Sequence, residues 1–263
     1  MKSYIIYSII IGFFLSYYTW DTFYRGFMNF VFASLFVFIN FLLMQFLFNF
    51  IAEYYGLQVK IEDIIVKKTI RQYSHFKKEV IERVKTLPLN YILTILFGIL
   101  TNGLLFPITV SLKFMAIESK RIGKAKSLDP SFWEKIKIIF FGLFGLWLIY
   151  TILKQPAAQI SIISAYVYYT YKFLLIFTIS SIIPFGMLLA PIIVKKFGYE
   201  FITNFIGDIL IFSNKSVYAS TIITIVFLPI FSLFLDPILF TVFILIVYAI
   251  VWLRIKYLAE VSQ

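Results

Sequence analysis

Residues 87–124 form an interrupted segment that bears on the topology, LPLNYILTILFGILTNGLLFPITVSLKFMAIESKRIGK. It begins as an apolar run long enough to cross a bilayer, but Asn102, Gly103 and Pro107 interrupt that run and a basic segment follows. An Asn-Gly pair favours a turn, and proline breaks a helix. Whether this stretch crosses the membrane or turns back inside it therefore fixes the topology of the rest of the chain.

Composition identifies the chain as an integral membrane protein. Of its 263 residues, 61% are hydrophobic and only 14% are charged, and the mean hydropathy is +0.92. A soluble protein of this size would have too little polar surface to cover such a core, whereas lipid accepts apolar side chains all around a helix. We therefore expect an all-α fold, with residues 1–263 forming one integral membrane domain, a polytopic transmembrane helical bundle.

The net charge of +11 raises the question of a nucleic-acid partner. The 24 lysines and arginines cluster in loops between apolar runs, which is the pattern of cytoplasmic loops under the positive-inside rule. No basic stripe or RNA-binding aromatic motif lies outside these loops, so we expect the lipid bilayer as a partner and no nucleic acid. The chain has no cysteine, and its single histidine, His75, cannot build a zinc site alone. We expect no metal and no cofactor.

Charge also constrains the topology. If residues 87–112 crossed the membrane, the basic loops 53–86 and 113–137 would lie on opposite faces. Both loops and both termini are cytoplasmic if residues 87–112 enter and return on one side, or lie buried in the bundle. We therefore expect a multi-pass cell-membrane protein with one broken or re-entrant element and about six crossings, at residues 3–20, 26–52, 138–153, 160–183, 217–235 and 238–253.

The loop 53–86 contains two predicted elements. Residues 57–61 alternate apolar and polar as LQVKI, which is typical of a short strand, and Gly56 is expected to end the preceding helix. Apolar residues recur at near-helical spacing between Lys67 and Lys85. That spacing predicts an amphipathic helix on the membrane surface.

Two local patterns predict side-chain hydrogen bonds. Ser131 and Glu134 have the spacing of a capping box at the start of a helix. Ser180 and Ser181 lie inside an apolar run, where serine hydroxyls usually bond the carbonyls of their own helix.

Four polar residues within or beside apolar runs are candidates for a partner-binding groove. Gln45 and Asn49 lie one helical turn apart, Asn102 lies in the broken element, and Lys172 is the single charge in its run. Such amides more often link neighbouring helices, and a membrane lysine often pairs or snorkels, so these readings stay open. Paired carboxylates, a phosphate-binding glycine loop and a nucleophile elbow are all absent. The sequence offers no catalytic constellation.

Several landmarks resemble the archaeal branch of the intramembrane site-2 metalloproteases. The run Met44-Gln45-Phe46-Leu47-Phe48 occupies the place of that family's His-Glu-x-x-His motif, ahead of a Tyr-Gly helix end at Tyr55-Gly56. The resemblance covers roughly residues 40–220. Its other segments are residues 101–107, 121–124, 137–142, 183–186 and 207–218.

The resemblance implies a membrane protease fold that has lost its chemistry. Met44 and Phe48 stand in place of the zinc histidines, Gln45 stands in place of the general-base glutamate, and Leu189 or Ile206 takes the place of the aspartate ligand. None of these side chains binds zinc as the family's ligands do, or moves a proton. We therefore expect a non-catalytic member that binds or scaffolds a membrane-protein partner or a transmembrane segment.

Two alternatives stand beside this hypothesis. The chain also resembles the channel subunit of the twin-arginine protein translocase, which would make it a translocase or transport subunit. Asp236-Pro237 precedes the last apolar run as an aspartate does in that family, but the family's N-terminal motif is absent and its intramembrane glutamate falls on Ile182. The spacing of the translocase family's fourth helix is matched at Tyr166, Lys172, Phe177 and Pro184. The other alternative is a structural subunit of a larger membrane complex.

Overall fold

The computed structural model describes residues 2–74, 79–122, 128–157, 161–201, 203, 205–211, 215–243, 245–247 and 249–250. His75 lies outside the described residues. The helices are α1 (Lys2–Ser16), α2 (Phe23–Tyr54), α3 (Leu89–Leu100), α4 (Glu118–Ile122), α5 (Phe132–Ala157), α6 (Ser161–Ile182), α7 (Phe185–Ala190), α8 (Ile206–Ile211), α9 (Lys215–Phe234) and α10 (Pro237–Val247). A 3₁₀ turn (Tyr17–Thr19) follows α1 and a π-helix (Pro191–Lys196) follows α7. The strands are β1 (Leu57–Glu62), β2 (Ile65–Ser74), β3 (Glu79–Pro88), β4 (Ser111–Ala116) and β5 (Glu200–Phe201).

Three of these helices are long and apolar enough to cross a membrane, namely α2, α5 and α6. Shorter apolar helices include α1, α3, α10 and the second half of α9. The fold is therefore mostly helical and of the kind that associates with membranes. The expectation of an all-α fold is wrong in one respect, because the described residues also form two small antiparallel sheets, β1-β4 and β3-β2-β5.

The amphipathic helix expected between Lys67 and Lys85 is wrong for the described residues, because those on either side of residues 75–78 form two antiparallel strands. β2 pairs with β3 in a register that runs from Ile65 opposite Pro88 to Ser74 opposite Glu79. The short strand β5 pairs with the other edge of β2. Isoleucine, valine and threonine dominate the apolar positions of the hairpin, and β-branched side chains favour a pleated strand over a helix.

The expected strand after α2 is confirmed as β1. Gly56 ends the helix with a φ of +71°, in the left-handed region that glycine adopts at low cost. β1 pairs with β4 from Leu57 opposite Ala116 to Glu62 opposite Ser111. The apolar side chains of β1 are buried while Gln58 and Lys60 are exposed, so the strand turns one face to the bundle.

The broken run folds as an out-and-back path. α3 has 12 residues, which is about 18 Å of helix and too short for a hydrocarbon core of about 30 Å. It ends in a turn in which Asn102 and Gly103 have φ values of +50° and +77°. The chain then returns in extended form and becomes β4. The Leu89 N–H donates to the Ile64 carbonyl, and β4 pairs with β1, so both ends of the path lie at the same end of the bundle.

α3 packs along α1 for almost its whole length. The Tyr91 hydroxyl donates to the Ser3 carbonyl at the near end, and Gly103 faces the Tyr17 ring at the far end. Between them, a Cβ at Gly98 would lie 2.4 Å from the ring of Phe14. The out-and-back path therefore depends on glycine at this close contact.

A buried ion pair joins the end of α2 to α4 and α5. The Arg121 side chain is 2% exposed and donates to both carboxylate oxygens of Glu134, at 3.3 and 3.2 Å, and to the Tyr55 carbonyl at 3.3 Å. Glu134 also completes the predicted capping box: it accepts from the Ser131 N–H, and its own N–H donates to the Ser131 hydroxyl. The capping-box prediction is confirmed.

We predict that Arg121→Met destabilises the fold by about 3–5 kcal/mol, because the Glu134 carboxylate, with 12% of its side chain exposed, then loses the buried guanidinium that pairs with it. The matched control is Arg25→Met. Arg25 pairs with Asp21 across one turn, with the two side chains 70% and 67% exposed, and such a pair contributes about 1 kcal/mol or less. Denaturant unfolding in detergent measures both effects. Equal losses in the two variants would contradict the assigned role of Arg121.

Candidate functional site

Gln45 and Asn49, two of the predicted partner-binding residues, bond the edge of β1 that faces away from β4. The Gln45 amide donates to the Val59 carbonyl at 2.6 Å and accepts from the Ile61 N–H at 2.9 Å. The Asn49 carbonyl accepts from the Val59 N–H at 2.7 Å. The two amides therefore take the place of a third strand. Gln45 also links two helices, as expected for such an amide, because its oxygen accepts from the Tyr4 hydroxyl of α1 at 3.1 Å.

Geometry explains why this spacing suits a strand. Residues four apart on a helix are separated by about 6 Å along its axis, and residues two apart on a strand by about 6.6 Å. Gln45 and Asn49 thus match Ile61 and Val59 when β1 runs antiparallel to α2. The Tyr4 hydroxyl donates to the Ile61 carbonyl at 2.8 Å, so the N–H and C=O groups of both strand residues are bonded.

A second set of polar side chains bonds the extended return between α3 and β4. The Thr94 hydroxyl donates to the Pro107 carbonyl at 2.6 Å. The Ile108 N–H donates to Ser180 at 3.1 Å, and the Thr109 N–H donates to the Tyr7 hydroxyl at 3.0 Å. Buried backbone away from water must find such partners.

This network corrects one prediction and confirms another. Ser181 bonds the Phe177 carbonyl of its own helix, as expected. Ser180 instead accepts from the returning chain, because its position on α6 faces Ile108. The sequence signal for Tyr7, Thr94 and Ser180 was their polarity inside apolar helices, but nothing in one sequence links them to a segment so far along the chain.

The positions that match the resembled protease motif are filled by packed apolar side chains. Met44 and Phe48 are fully buried in the main core cluster, and a Cβ at Gly142 would lie 2.4 Å from the Phe48 ring. Ile206 belongs to the same cluster, whereas Leu189 packs against a smaller cluster that includes Ile64. Within the described residues, no group of three or more histidine, cysteine, aspartate or glutamate side chains is placed to hold a metal ion.

The four predicted partner-binding residues do not line one groove. Gln45 bonds Tyr4, whereas Asn102 is exposed at the turn beside Gly103, which faces Tyr17. Tyr4 and Tyr17 are 13 residues apart along α1 and its 3₁₀ extension, or about 20 Å. The Lys172 ammonium lies elsewhere, 4.4 Å from the centre of the Tyr168 ring. This cation–π contact uses a neighbour on its own helix and not a polar interior.

Asp208 is a buried carboxylate in the first turn of α8. It is 5% exposed and accepts from the Met187 N–H at 3.2 Å, near the start of α7. A Cβ at Gly186 would clash with its Oδ2 atom. Burial raises the pKa of Asp208, while the backbone donors of Met187, Phe205 and Gly186 oppose that rise. The carboxylate therefore fastens α8 to the start of α7.

Comparison of the chain with protein-family models, with curated proteins and with solved structures finds no match.

We predict that Asn49→Leu destabilises the protein by about 1–3 kcal/mol, because the Val59 N–H then lies buried without an acceptor. Amide exchange at Val59 should become faster. Gln58→Leu is the matched control, since Gln58 is an exposed amide side chain on β1 itself, and its loss should change stability by about 0.5 kcal/mol or less. Hydrogen exchange read by mass spectrometry, with unfolding in detergent, measures both. Unchanged exchange in Asn49→Leu would contradict the assignment.

Proposed function

We propose that this chain is a non-catalytic integral membrane protein that resembles a site-2 protease without its zinc site. It acts by binding or scaffolding a membrane partner. The observation that carries the proposal is the packing at the motif positions: Met44 and Phe48 are buried with no exposed surface. A zinc protease needs an open coordination position and a water beside the metal at this point of the fold.

The general-base position of the motif supports the same proposal. Gln45 stands where the resembled family has its general base, and a carboxamide does not accept and return a proton as a carboxylate does. Both ends of its amide are already engaged by backbone groups of Val59 and Ile61. The position therefore has a structural use in this chain.

We place the partner's transmembrane segment in a groove between α6 and α9. It has a volume of about 290 Å³. The Thr178 hydroxyl in its wall already accepts from the Trp147 ring N–H, so the wall offers an apolar surface. Pro229 interrupts the hydrogen bonding of α9 beside it. A groove of this volume accommodates side chains from one face of an apolar helix. The lining residues are Tyr171, Leu175, Thr178, Ile179, Ile182, Val226, Pro229, Ile230, Leu233 and Phe234.

The proposed topology has α1, α2, α5, α6, α9 and α10 crossing the cell membrane, with α3 and the following chain turning back inside the bundle. The basic loops 53–86 and 113–137 and both termini face the cytoplasm. The out-and-back path supports this arrangement, since it lets two basic loops share one face as the positive-inside rule requires.

The catalytic half of the proposal is tested by metal analysis of the detergent-purified protein, run beside cleavage of a transmembrane substrate. An active site-2 protease is the positive control. We expect zinc far below one equivalent and no cleavage. Stoichiometric zinc or specific cleavage would overturn the proposal.

The binding half is tested by photocrosslinking in membranes from a probe at Ile179, in the groove, and from a control probe at Ile152. Both positions are about half exposed, at 51% and 49%. We expect a discrete protein adduct from position 179 only, and its loss when Val226→Trp fills the groove. Equal adducts from both positions, or lipid adducts alone, would contradict a partner site there.

A further inference from the structure

A second, larger groove lies at the end of the bundle where α2 stops. It has a volume of about 830 Å³ and lies between α2, α4 and α5. Phe50 and Tyr54 in its wall are 68% and 76% exposed, so the part of the chain that the structure describes leaves this apolar surface uncovered. The groove is lined by Leu47, Phe50, Ile51, Glu53, Tyr54, Tyr55, Lys120 and Phe141.

Two opposite charges stand at this otherwise apolar groove. Glu53 is on α2 and Lys120 is on α4, and both side chains are exposed. In the described part of the chain neither forms an ion pair. Lys120 lies beside the end of α2, since its Cβ is 3.4 Å from the place of a Cβ at Gly56. The groove thus presents a carboxylate and an ammonium from two separate elements.

The neighbouring helix places the mouth of the groove at the level of lipid headgroups. On α5 the Lys137 ammonium lies 5.4 Å from the centre of the Trp133 ring. Tryptophan and lysine are typical of the boundary between headgroups and hydrocarbon. Phe141 lies one turn further along α5, in its apolar part. The groove therefore leads from the headgroup level toward the hydrocarbon region.

We propose that this groove binds a phospholipid whose headgroup carries both a phosphate and a primary ammonium, the chemistry of phosphatidylethanolamine. Lys120 pairs with the phosphate, Glu53 pairs with the ammonium, and an acyl chain covers the wall formed by Phe50, Ile51 and Phe141. An anionic lipid such as phosphatidylglycerol has the phosphate but no ammonium, so it would leave Glu53 without a cationic partner beside that phosphate. An apolar helix would cover both charges and leave them unpaired. This site is independent of the proposed partner groove and of the loss of the zinc site.

Native mass spectrometry of the full chain, released from micelles that hold equal amounts of phosphatidylethanolamine and phosphatidylglycerol, tests the proposal. We expect one retained phosphatidylethanolamine, preferred about fivefold. Lys120→Gln should reduce its retention about fivefold. Glu53→Gln should keep a bound lipid but remove the preference between the two. Lys113→Gln, an exposed lysine on β4 outside the groove, is the control and should change neither quantity.

Ile51→Trp is a second variant, because it fills the groove without altering a charge, and it should displace the lipid. Unfolding temperatures of all variants establish that they fold. Equal retention of the two lipids by the unaltered protein would overturn the proposal. So would retention that Lys120→Gln and Ile51→Trp leave unchanged, or a stable dimer that occupies the groove and that Ile51→Trp disrupts.

Discussion

Every backbone N–H and C=O inside an apolar bundle needs a hydrogen-bond partner, and the rest of this structure depends on how that constraint is met. The interior of a helix meets it with its own backbone. Among the described residues, no strand pairs with the chain between α3 and β4, and none pairs with the edge of β1 that faces away from β4. Their partners are side chains of helices. Gln45 and Asn49 form hydrogen bonds with the backbone of β1. Tyr7, Thr94 and Ser180 form hydrogen bonds with the backbone between α3 and β4.

This use of polar side chains has a consequence for function. An unpaired polar group in a buried, low-dielectric site is costly, so polar side chains that bond the backbone are not free for other chemistry. Gln45, at the position of the resembled general base, bonds the backbone of β1 through both its amide nitrogen and its amide oxygen. The neighbouring positions, Met44 and Phe48, add packing. A site built for proton transfer and metal binding would need the opposite arrangement, with polar groups that face an open cavity.

The sequence predicts the elements whose causes are local. Long apolar runs give α2, α5 and α6, and alternation gives β1. The Asn-Gly pair predicts the turn after α3, and Asn102 and Gly103 adopt positive φ values in that turn. The pairing of β2 with β3 does not follow from periodicity, because short amphipathic runs fit more than one period and β-branched composition decides between them.

The partners of the predicted site residues could not be read in the same way. The sequence identifies Gln45 and Asn49 as a pair on one helical face. Their partner is the strand β1, and its position alongside α2 depends on tertiary packing. The contact between Ile108 and Ser180 joins residues 72 positions apart, and one sequence carries no signal for such a pairing. Asn102 is exposed, and Lys172 contacts a tyrosine ring on its own helix. Polarity alone therefore does not predict which residues share a groove.

Residues 87–112 leave and return at one end of the bundle, and labelling of single cysteines reports which side of the membrane each end of this path faces. The natural chain has no cysteine, so Lys85→Cys, Lys113→Cys and Asp21→Cys each provide one thiol. A membrane-impermeant maleimide is added to one side of oriented vesicles. We predict that it labels positions 85 and 113 from the same side and position 21 only from the other. Labelling of positions 85 and 113 from opposite sides would contradict the out-and-back path.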